Sequence, residues 1–526
     1  YSYYVVETQV TRDGKTVTND SNENTQRTIK DTYFTTYSHG DQIISIDNTV
    51  AICKIEDRYS GDGGKKADGR DVYEHPFGTL QRAVEYARSH KSILPMDSTH
   101  SVSIQMLVDY VIPSGDKVEL NQEDDNITIT TAAKSGGVYN FMPTFTEAEG
   151  RLSTDSGETA ILRRESGFIN APLFTVNNAN AALTTKNIIF DGAEITTSTR
   201  GSIIYAGNGS LTIAGDTTVR NTRSSASENG GAIYAPVPVE FTTEEGETIL
   251  FENCTTNKEG GAIETDQHKL TINNKGTLRA KDCKATYGGF ICTDTGGDLE
   301  INNSGTIEVT GCEATNNSGG AIWTGSFSAA NNSGSISFTN CKAKEGGGAI
   351  YVNKNNTHPA SSPFTLTNTA TGTASFTNCS ATKDGGAIRV TNGIVTITSA
   401  NTGSPITFEN CTSSNEGGAI YQEAGSNMTL TNVTFGQEGA LAYGCFAGLE
   451  GGSVYSNASS TTTLTECNFY YSVAGYTNKT YDTHGGAVFC NAGAFTILGC
   501  AFDHCSVYTS TDKSGHGNGG AVNAIG

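Results

Sequence analysis

The chain has 526 residues, with 34 lysine and arginine residues against 55 aspartate and glutamate residues, and a formal net charge of −21. This balance disfavours a nucleic-acid-binding protein, because contacts to phosphates need clustered basic side chains. No apolar segment approaches the roughly 18 residues that a membrane-spanning helix requires. The sequence begins at Tyr1 without a recognisable signal peptide, so we interpret it as a mature chain or a fragment.

Residues 1–55 predict a small β-rich module. Tyr3–Val10 has the composition of a strand, Asp13 and Gly14 form a turn, and Thr16–Thr18 is again strand-like. This order is typical of a β-hairpin.

Residues 56–75 are rich in glycine and aspartate and predict a flexible linker between modules. The alternative for this segment is a weak calcium site, since Ca²⁺ prefers oxygen ligands. Its candidate ligands are Asp57, Asp62, Asp68 and Asp71. The spacing is not that of an EF-hand and basic residues intervene, so the linker is favoured and no cofactor is expected.

Residues 76–158 predict an N-terminal cap followed by the first coils of a repeat domain. The segment from Thr79 to Ala87 is amphipathic, with Leu80, Val84 and Ala87 on one helical face. A helix here would cover the open edge of the first coil, and covering such an edge prevents aggregation.

Glycine becomes periodic from about residue 160 to the end of the sequence, and periodicity on this scale indicates a solenoid. A Gly-Gly-Ala-Ile type motif recurs ten times at intervals of 28 to 38 residues. The first glycines of the ten copies are Gly230, Gly260, Gly288, Gly319, Gly347, Gly385, Gly417, Gly451, Gly485 and Gly519. We expect them at tight corners, where a positive φ costs glycine nothing.

A second motif, Phe-x-Asn-Cys, lies between the glycines in the same phase. Its residues are Phe251, Asn253, Cys254, Phe338, Asn340, Cys341, Phe376, Asn378, Cys379, Phe408, Asn410 and Cys411. Apolar residues alternate with serine and threonine before it, as in Ser335–Asn340, which indicates a strand. Short strands, glycine corners and a repeat of about 30 residues predict an all-β fold, a parallel β-solenoid over residues 159–526.

Stacking in register places equivalent residues of adjacent coils about 4.8 Å apart. We therefore expect the last three phenylalanines of the motif to stack and the asparagines that follow to form a buried amide ladder. Because the alternation places these asparagines inward, we expect no glycan at Asn253, Asn378 or Asn410, which occupy Asn-x-Ser/Thr sequons.

Two alternatives remain for the 13 cysteines. Cysteines on adjacent coils lie within disulfide distance of each other. The interpretation we favour is a stack of buried thiols, because a strict ladder gives each sulfur two equivalent neighbours and no unique partner.

The alternation of Gly-Gly-Ala-Ile or Gly-Gly-Ala-Val with a Phe-x-Asn element resembles the repeats of the polymorphic outer membrane protein family, the chlamydial autotransporter adhesins, and related repeats of large bacterial surface proteins. The resemblance covers about residues 160–526. It implies a right-handed parallel β-helix, display at the cell surface, and adhesion.

Catalysis on a β-helix needs carboxylates or basic groups that converge on one exposed face. The best cluster in the sequence is formed by Asp482, His484, Asp503, His504 and His516. We interpret these residues as solvated loop positions in preference to a metal site or a catalytic site.

The leading hypothesis is a non-catalytic extracellular surface protein, a β-helical stalk or adhesin that contacts a host surface, a glycan or neighbouring protein subunits. The alternatives are a subunit of an extracellular filament or surface layer, and a polysaccharide-active β-helix enzyme. Residues 519–522 open a further copy of the glycine motif, and a solenoid needs a terminal cap. We therefore expect the native chain to continue or another subunit to cover this end, which leaves self-assembly open.

Overall fold

The computed structural model describes most of the repeat region and parts of the preceding segment. The described residues are 9–12, 15–18, 35–39, 42–47, 52–57, 73–91, 94, 96, 100–132, 159–225, 227–353, 364–425, 427–459, 461–475, 483–491, 493–508 and 517–525. Five residues of the predicted sites, Asp62, Asp68, Asp71, Asp482 and His516, lie outside these ranges.

The described residues of the first 50 include two short antiparallel pairs of strands. Gln9–Arg12 pairs with Lys15–Thr18, which confirms the predicted hairpin. Thr35–His39 pairs with Gln42–Asp47.

Two strands cross the boundaries that we predicted for the linker. Cys53–Asp57 pairs antiparallel with both Tyr73–Phe77 and Val102–Met106, so it belongs to the sheet of the solenoid. Asp57 is accordingly the last residue of a strand and not part of a loop. We predicted linker ends at residues 56 and 75 because glycine and aspartate dominate the segment between the two strands. This composition outweighed the short strand patterns at its two ends, which belong to Cys53–Asp57 and Tyr73–Phe77.

The predicted cap helix is confirmed and spans Leu80–Ser89. Oγ1 of Thr79 accepts a hydrogen bond from the backbone N–H of Arg82, as an N-cap residue does. The buried carboxylate of Asp116 accepts two further N–H groups of the first turn, from Leu80 and Gln81, at 3.0 Å each. These bonds fix the helix on the first coil, where it packs against Cys53–Asp57 and neighbouring strands.

The remainder is a β-solenoid of about 11 turns whose strands pair mostly in parallel, as the glycine period predicted. A typical coil contains four short strands, as in Ile263–Glu264, Leu270–Asn274, Thr277–Lys281 and Lys284–Ala285. The first two belong to one sheet and the last two to a second sheet, and apolar side chains between the sheets form one continuous core. The interior is therefore thin, which explains how a chain with 36% hydrophobic residues has a core.

The parallel strands of the first sheet are Val102–Met106, Val118–Leu120, Asn126–Thr131, Phe174–Thr185, Ile204–Ala214, Ile233–Tyr234, Val239–Thr243, Ile263–Glu264, Leu270–Asn274, Ile291–Asn303, Ile322–Asn332, Ile350–Val352, Phe364–Asn368, Ile388–Val390, Val395–Ser399, Ile420–Gln422, Asn427–Thr431, Val454–Ser456, Thr461–Thr465, Val488–Asn491, Ala494–Leu498 and Val522–Ile525.

The strands of the second sheet are Tyr110–Ile112, Ile161–Arg164, Ile188–Asp191, Thr196–Thr197, Thr217–Ser224, Thr248–Thr255, Thr277–Lys281, Lys284–Ala285, Thr306–Thr310, Glu313–Ala314, Ser335–Thr339, Lys342–Ala343, Thr373–Thr377, Ser380–Ala381, Ile406–Glu409, Thr412–Ser413, Val433–Phe435, Phe446–Ala447, Asn468–Tyr470, Val473–Ala474, Ala501–Asp503 and Ser506–Val507. Two single-turn 3₁₀ helices, Ser114–Asp116 and Leu441–Tyr443, and the pair Thr483–His484 with Gly517–Asn518 complete the described elements.

The corner at which a coil passes from the second sheet to the first requires both glycines of every pair on which a further coil stacks, whereas a Cβ on Gly520, in the last pair, would meet nothing within 4 Å. The first glycines of the ten copies have φ between 57° and 71°, where other residues are strained. The second glycine lies against the next coil: a Cβ on Gly386 would stand 2.0 Å from the carbonyl oxygen of Gly418. Where a further coil stacks, the corner therefore excludes any side chain at the second position.

The asparagines of the Phe-x-Asn-Cys motif point outward, so their predicted burial is wrong. Asn253, Asn340, Asn378 and Asn410 have φ values of 52°, 57°, 55° and 49°. A residue in this left-handed conformation turns the chain between two strands and interrupts the alternation, so the following cysteine points inward instead. The amides still form a ladder, on the surface: Nδ2 of Asn378 donates to Oδ1 of Asn340 at 3.1 Å. Burial therefore does not exclude glycans at Asn253, Asn378 or Asn410.

A different asparagine ladder is buried, at the corner between the first and second sheets. Its members are Asn274, Asn303, Asn332 and Asn368, each at most 3% exposed. Nδ2 of each of the first three donates to Oδ1 of the next, at 2.7 to 2.8 Å, and Nδ2 of Asn368 ends the ladder without a hydrogen-bond partner. Nδ2 of Asn303 also donates to the carbonyl oxygen of Ser335 at 3.1 Å, so the ladder satisfies the backbone of the corner.

The predicted aromatic stack is present in the core. The rings of Phe338, Phe376 and Phe408 lie 5.1 and 4.7 Å apart and within 4° of parallel. The stack continues through further coils to Phe502. Phe251 is separated from it, because two smaller side chains occupy the intervening coils, and it packs against Phe241 and Phe290.

The 13 cysteines are free thiols, and 11 of them are buried. Most thiols of the ladder donate to a backbone carbonyl of the preceding coil. The bond from Cys379 Sγ to the carbonyl oxygen of Phe338, at 3.6 Å, is representative. Burial raises the pKa of Cys254 well above its usual value, as expected of an unreactive core thiol.

Candidate functional site

Two columns of side chains flank the Gly-Gly corner and run along the solenoid axis; we call them together the corner stripe. The first column is the residue before each glycine pair from Gly260 to Gly485: Glu259, Tyr287, Ser318, Gly346, Asp384, Glu416, Glu450 and His484. The second is the residue four positions after the first glycine of each pair from Gly230 to Gly485: Tyr234, Glu264, Cys292, Trp323, Tyr351, Arg389, Tyr421, Tyr455 and Phe489. Members of the second column are register neighbours on successive coils.

The aromatic members of the stripe form small clusters outside the main core. Tyr421, Tyr455 and Phe489 make one cluster, with ring centroids 4.9 and 5.1 Å apart. Trp323 belongs to a second cluster and stacks on Tyr287 at 4.6 Å. The rings cover one another, so the stripe presents ring edges more than ring faces to solvent.

Two carboxyl groups of the corner stripe have raised pKa values. Glu416 and Glu450 lie on adjacent coils, both partly buried. Burial, reinforced by the charge of Asp384, raises the pKa of Glu416 to about 7. Burial, reinforced by Glu416, raises the pKa of Glu450 to about 7. Two neighbouring groups that ionise near neutral pH have the protonation behaviour of an acid–base pair.

Arg389 lies in the second column, one coil before the coil that begins after Glu416. Its guanidinium lies between the rings of Tyr351 and Tyr421, 5.5 and 5.6 Å from their centroids. It pairs with Asp384 at 3.5 Å and with Glu423 at 2.9 Å. The arginine is therefore neutralised by two carboxylates and held by two rings, a planar sandwich that lysine would not reproduce.

A second group of titratable side chains lies further toward the N-terminus, at Glu259, Glu264 and Cys292. One potential ligand atom from each lies within 4.8 Å of the others. Glu264 and Cys292 are buried, and burial raises the pKa of both well above their usual values. Nδ2 of Asn229 donates to Oε2 of Glu259 at 3.0 Å.

The predicted histidine cluster is not brought together among the described residues. His484 belongs to the corner stripe, with Nε2 4.0 Å from Oε1 of Glu450. His504 lies at a different corner, with φ of 53°, where it stacks on Tyr471 and contacts Asp503 at 2.7 Å. The two histidines thus have separate environments.

Neither the corner stripe nor the buried asparagine ladder was predicted from the sequence, although each has a local signal in it. The segment around each glycine pair carries the first signal, as in Asp-Gly-Gly-Ala-Ile-Arg at 384–389 and Glu-Gly-Gly-Ala-Ile-Tyr at 416–421. The second is Asn-Asn-x-Gly, which recurs at Asn273, Asn302 and Asn331 with steps of 29 residues.

Comparisons with protein-family models, with curated proteins and with solved structures found no match to this chain. Among the described residues, no helix has the length and apolar character needed to cross a membrane. The fold places the chain in the class of parallel β-solenoid repeat proteins.

Proposed function

We propose that the chain is a non-catalytic extracellular surface protein, a β-helical stalk or adhesin that mediates attachment or surface display. The partner would be a host surface, a glycan or neighbouring protein subunits. One observation carries the proposal: along the part of the solenoid that the structure describes, many outward polar side chains bond to the equivalent positions of an adjacent coil.

The ion pairs of the second sheet illustrate this arrangement. Arg279 pairs with Glu308 at 2.6 Å, Lys281 with Glu252 at 2.8 Å, and each bond joins adjacent coils. Each exposed pair adds little stability on its own, about 0 to 1 kcal/mol. Its consequence is that the carboxylate is neutralised by a neighbour and is not free to act on a substrate.

The surface asparagine ladder follows the same pattern. Asn410 donates to Asn378 at 2.8 Å, and Asn378 donates to Asn340. A surface of this kind is regular and repetitive over many coils. Such a surface suits multivalent contact with a repetitive partner, where many weak contacts add up to stable attachment.

The charge of −21 limits the partners that this surface suits. Long-range electrostatic repulsion disfavours binding to strongly acidic surfaces. Neutral or basic surfaces are therefore the better partners for this chain. The resemblance to polymorphic outer membrane protein repeats supports a location at the cell surface.

A second candidate function, a polysaccharide-active enzyme, is favoured by Glu416 and Glu450. Glycoside hydrolysis uses two carboxyl groups, one protonated and one ionised, on either side of the scissile bond. In the stripe, however, the neighbours of this pair are stacked rings and Arg389, which is already paired with Asp384 and Glu423.

Incubation of the purified chain with a panel of acidic and neutral polysaccharides distinguishes the two functions. We expect retention on some of the same glycans when they are immobilised, with no new reducing ends and no unsaturated products. Turnover by the wild type that is lost in the Glu416→Gln Glu450→Gln variant would establish the enzyme and refute the proposal. The variant Glu438→Gln, at an exposed position outside the stripe, is the matched control.

A further inference from the structure

The aromatic column of the corner stripe is interrupted at Glu264 and Cys292. Tyr234 precedes these two residues in register and Trp323 follows them. Glu264 and Cys292 are direct register neighbours on adjacent coils, and Glu259 reaches the same point from across the glycine pair. Carboxylate oxygen and sulfur atoms therefore meet where most other coils place a ring.

The carboxylate of Glu264 is incompletely satisfied. The residue is 1% exposed, and its Oε1 accepts a hydrogen bond from the backbone N–H of Asp266 at 3.2 Å. Oε2 is buried and has no hydrogen-bond partner. An unpaired oxygen on a buried carboxylate is costly, so it marks a place where a ligand or a cation would be stabilised.

The charges around this point are acidic. The charged groups acting most strongly on Glu264 are Glu259 and Asp294, and those acting on Cys292 are Glu264 and Glu259. Lys258 is the basic group nearby, and it acts on the more exposed Glu259. Burial and these neighbours raise the pKa of both Glu264 and Cys292 and keep them protonated, and a divalent cation would displace those protons.

We propose that Glu259, Glu264 and Cys292 form a binding site for Zn²⁺. Zinc binds thiolate sulfur at about 2.3 Å and carboxylate oxygen at about 2.0 to 2.2 Å, most often in four-coordinate sites. The donor atoms of such a site lie roughly 3.5 Å apart. Here they lie within 4.8 Å of one another, so binding would draw them closer together.

The ligand set selects against other common cations. Calcium and magnesium take oxygen ligands, whereas zinc combines thiolate with carboxylate. Binding replaces the thiol proton of Cys292 and any carboxyl proton, and these protons pass to solvent. Water takes the fourth position. The hydrogen bonds from Asn229 to Glu259 and from Asp266 to Glu264 orient the two carboxylates, as outer-shell contacts do in metal sites.

The chain provides its own optical reporter. Trp323 is the only tryptophan in the sequence and is the register neighbour of Cys292. Co²⁺ substitutes for zinc in thiolate sites and adds two signals, a sulfur-to-cobalt charge-transfer absorption and quenching of nearby tryptophan fluorescence. Both signals report on metal bound at Glu259, Glu264 and Cys292.

The test titrates the full chain, first stripped of metal with a chelator, with Co²⁺ and then with Zn²⁺. We expect a charge-transfer band at about one cobalt per chain, quenching of Trp323, and reversal of both signals by zinc. Cys292→Ala should abolish the band, and Glu264→Gln should weaken metal affinity at least about 10-fold. Cys312→Ala, which removes another fully buried thiol, should leave both signals unchanged.

Metal binding that survives Cys292→Ala would overturn the proposal. Equal loss of the charge-transfer band in Cys312→Ala would also overturn it, because that result would place the metal on the cysteine ladder. Far-ultraviolet circular dichroism of each metal-free variant establishes that it is folded. If Cys292→Ala does not fold, the isosteric Glu264→Gln decides: unchanged metal affinity in that variant refutes the site.

Discussion

Replacing Glu416 and Glu450 with glutamine should stabilise the protein at alkaline pH and leave its stability nearly unchanged in acid. Both carboxyl groups have their pKa raised from 4.5 to about 7, so the folded state favours their neutral forms. The stability that each neutral group contributes is complete below the unfolded pKa of 4.5 and is lost as the pH rises through about 7. Glutamine resembles the neutral form at every pH, so it removes this loss.

The magnitude follows from the pKa values. A difference of one in pKa corresponds to about 1.4 kcal/mol, which sets a ceiling of about 3 kcal/mol for each carboxyl. Both groups are partly exposed, and solvent screening reduces the effect to about 1 to 2 kcal/mol each. The two contributions are not additive, because the charge of Glu416 raises the cost of ionising Glu450.

The assay is the urea midpoint of the wild type, the two single variants and the double variant, at about pH 4 and about pH 8.5. Glu438→Gln, which removes an exposed carboxylate, is the control and should change neither midpoint appreciably. A double variant that is destabilised at alkaline pH, or stabilised equally at both pH values, would refute the reasoning.

Three further predictions concern the ladders, the corners and the thiols. Asn303→Ala should destabilise the chain by about 2 to 4 kcal/mol in urea unfolding, because it leaves buried polar partners unsatisfied. The control Asn302→Ala, on the solvent side, should cost under about 0.5 kcal/mol, and equal effects of the two variants would contradict the buried ladder. Gly386→Ala should lower stability by at least about 3 kcal/mol, since the new methyl group would overlap the backbone of the next coil, and a small loss would refute the close approach. Iodoacetamide should label Cys500, whose pKa is lowered to about 6 by the hydrogen bond from a neighbouring thiol, before Cys505, whose pKa burial raises to about 11. Peptide mass spectrometry gives the two rates, and equal rates would contradict the assignment.

The sequence predicted the solenoid because its signals are local and repeated. Each glycine pair needs a backbone conformation and a close backbone approach that only glycine permits. The spacing of the corners is therefore visible as the spacing of glycine pairs in the sequence. The aromatic stack followed from the same period, since Phe338 and Phe376 occupy equivalent positions of adjacent coils. The cap helix was predicted because its apolar face and its N-cap lie within one short segment.

The orientation of the asparagines could not be obtained from alternation alone. Asn340 and Asn303 both follow strands with alternating apolar residues, yet Asn340 has φ of 57° and turns outward while Asn303 is buried. The difference depends on which corner each occupies. In the first case the next residue is the inward Cys341, and in the second a glycine follows two positions later.

The corner stripe was missed for a different reason. Its members are separated by a full coil, and Glu264 and Cys292 align only when each is counted from its own glycine pair. Coil lengths vary because of loop insertions, and the stripe mixes acidic, aromatic and basic residues, so no single residue type repeats. The raised pKa values of Glu416 and Glu450 arise from burial by side chains on adjacent coils, which one sequence does not specify.

The measurement that tests the proposed function most directly is attachment of chain-coated fluorescent beads to cultured epithelial cells. Beads coated with an unrelated acidic protein of similar net charge are the control. We predict saturable attachment that soluble chain competes away and that a fourfold higher ionic strength does not abolish. Attachment no greater than that of the control beads, or attachment that soluble chain fails to compete, would contradict the assignment as an adhesin.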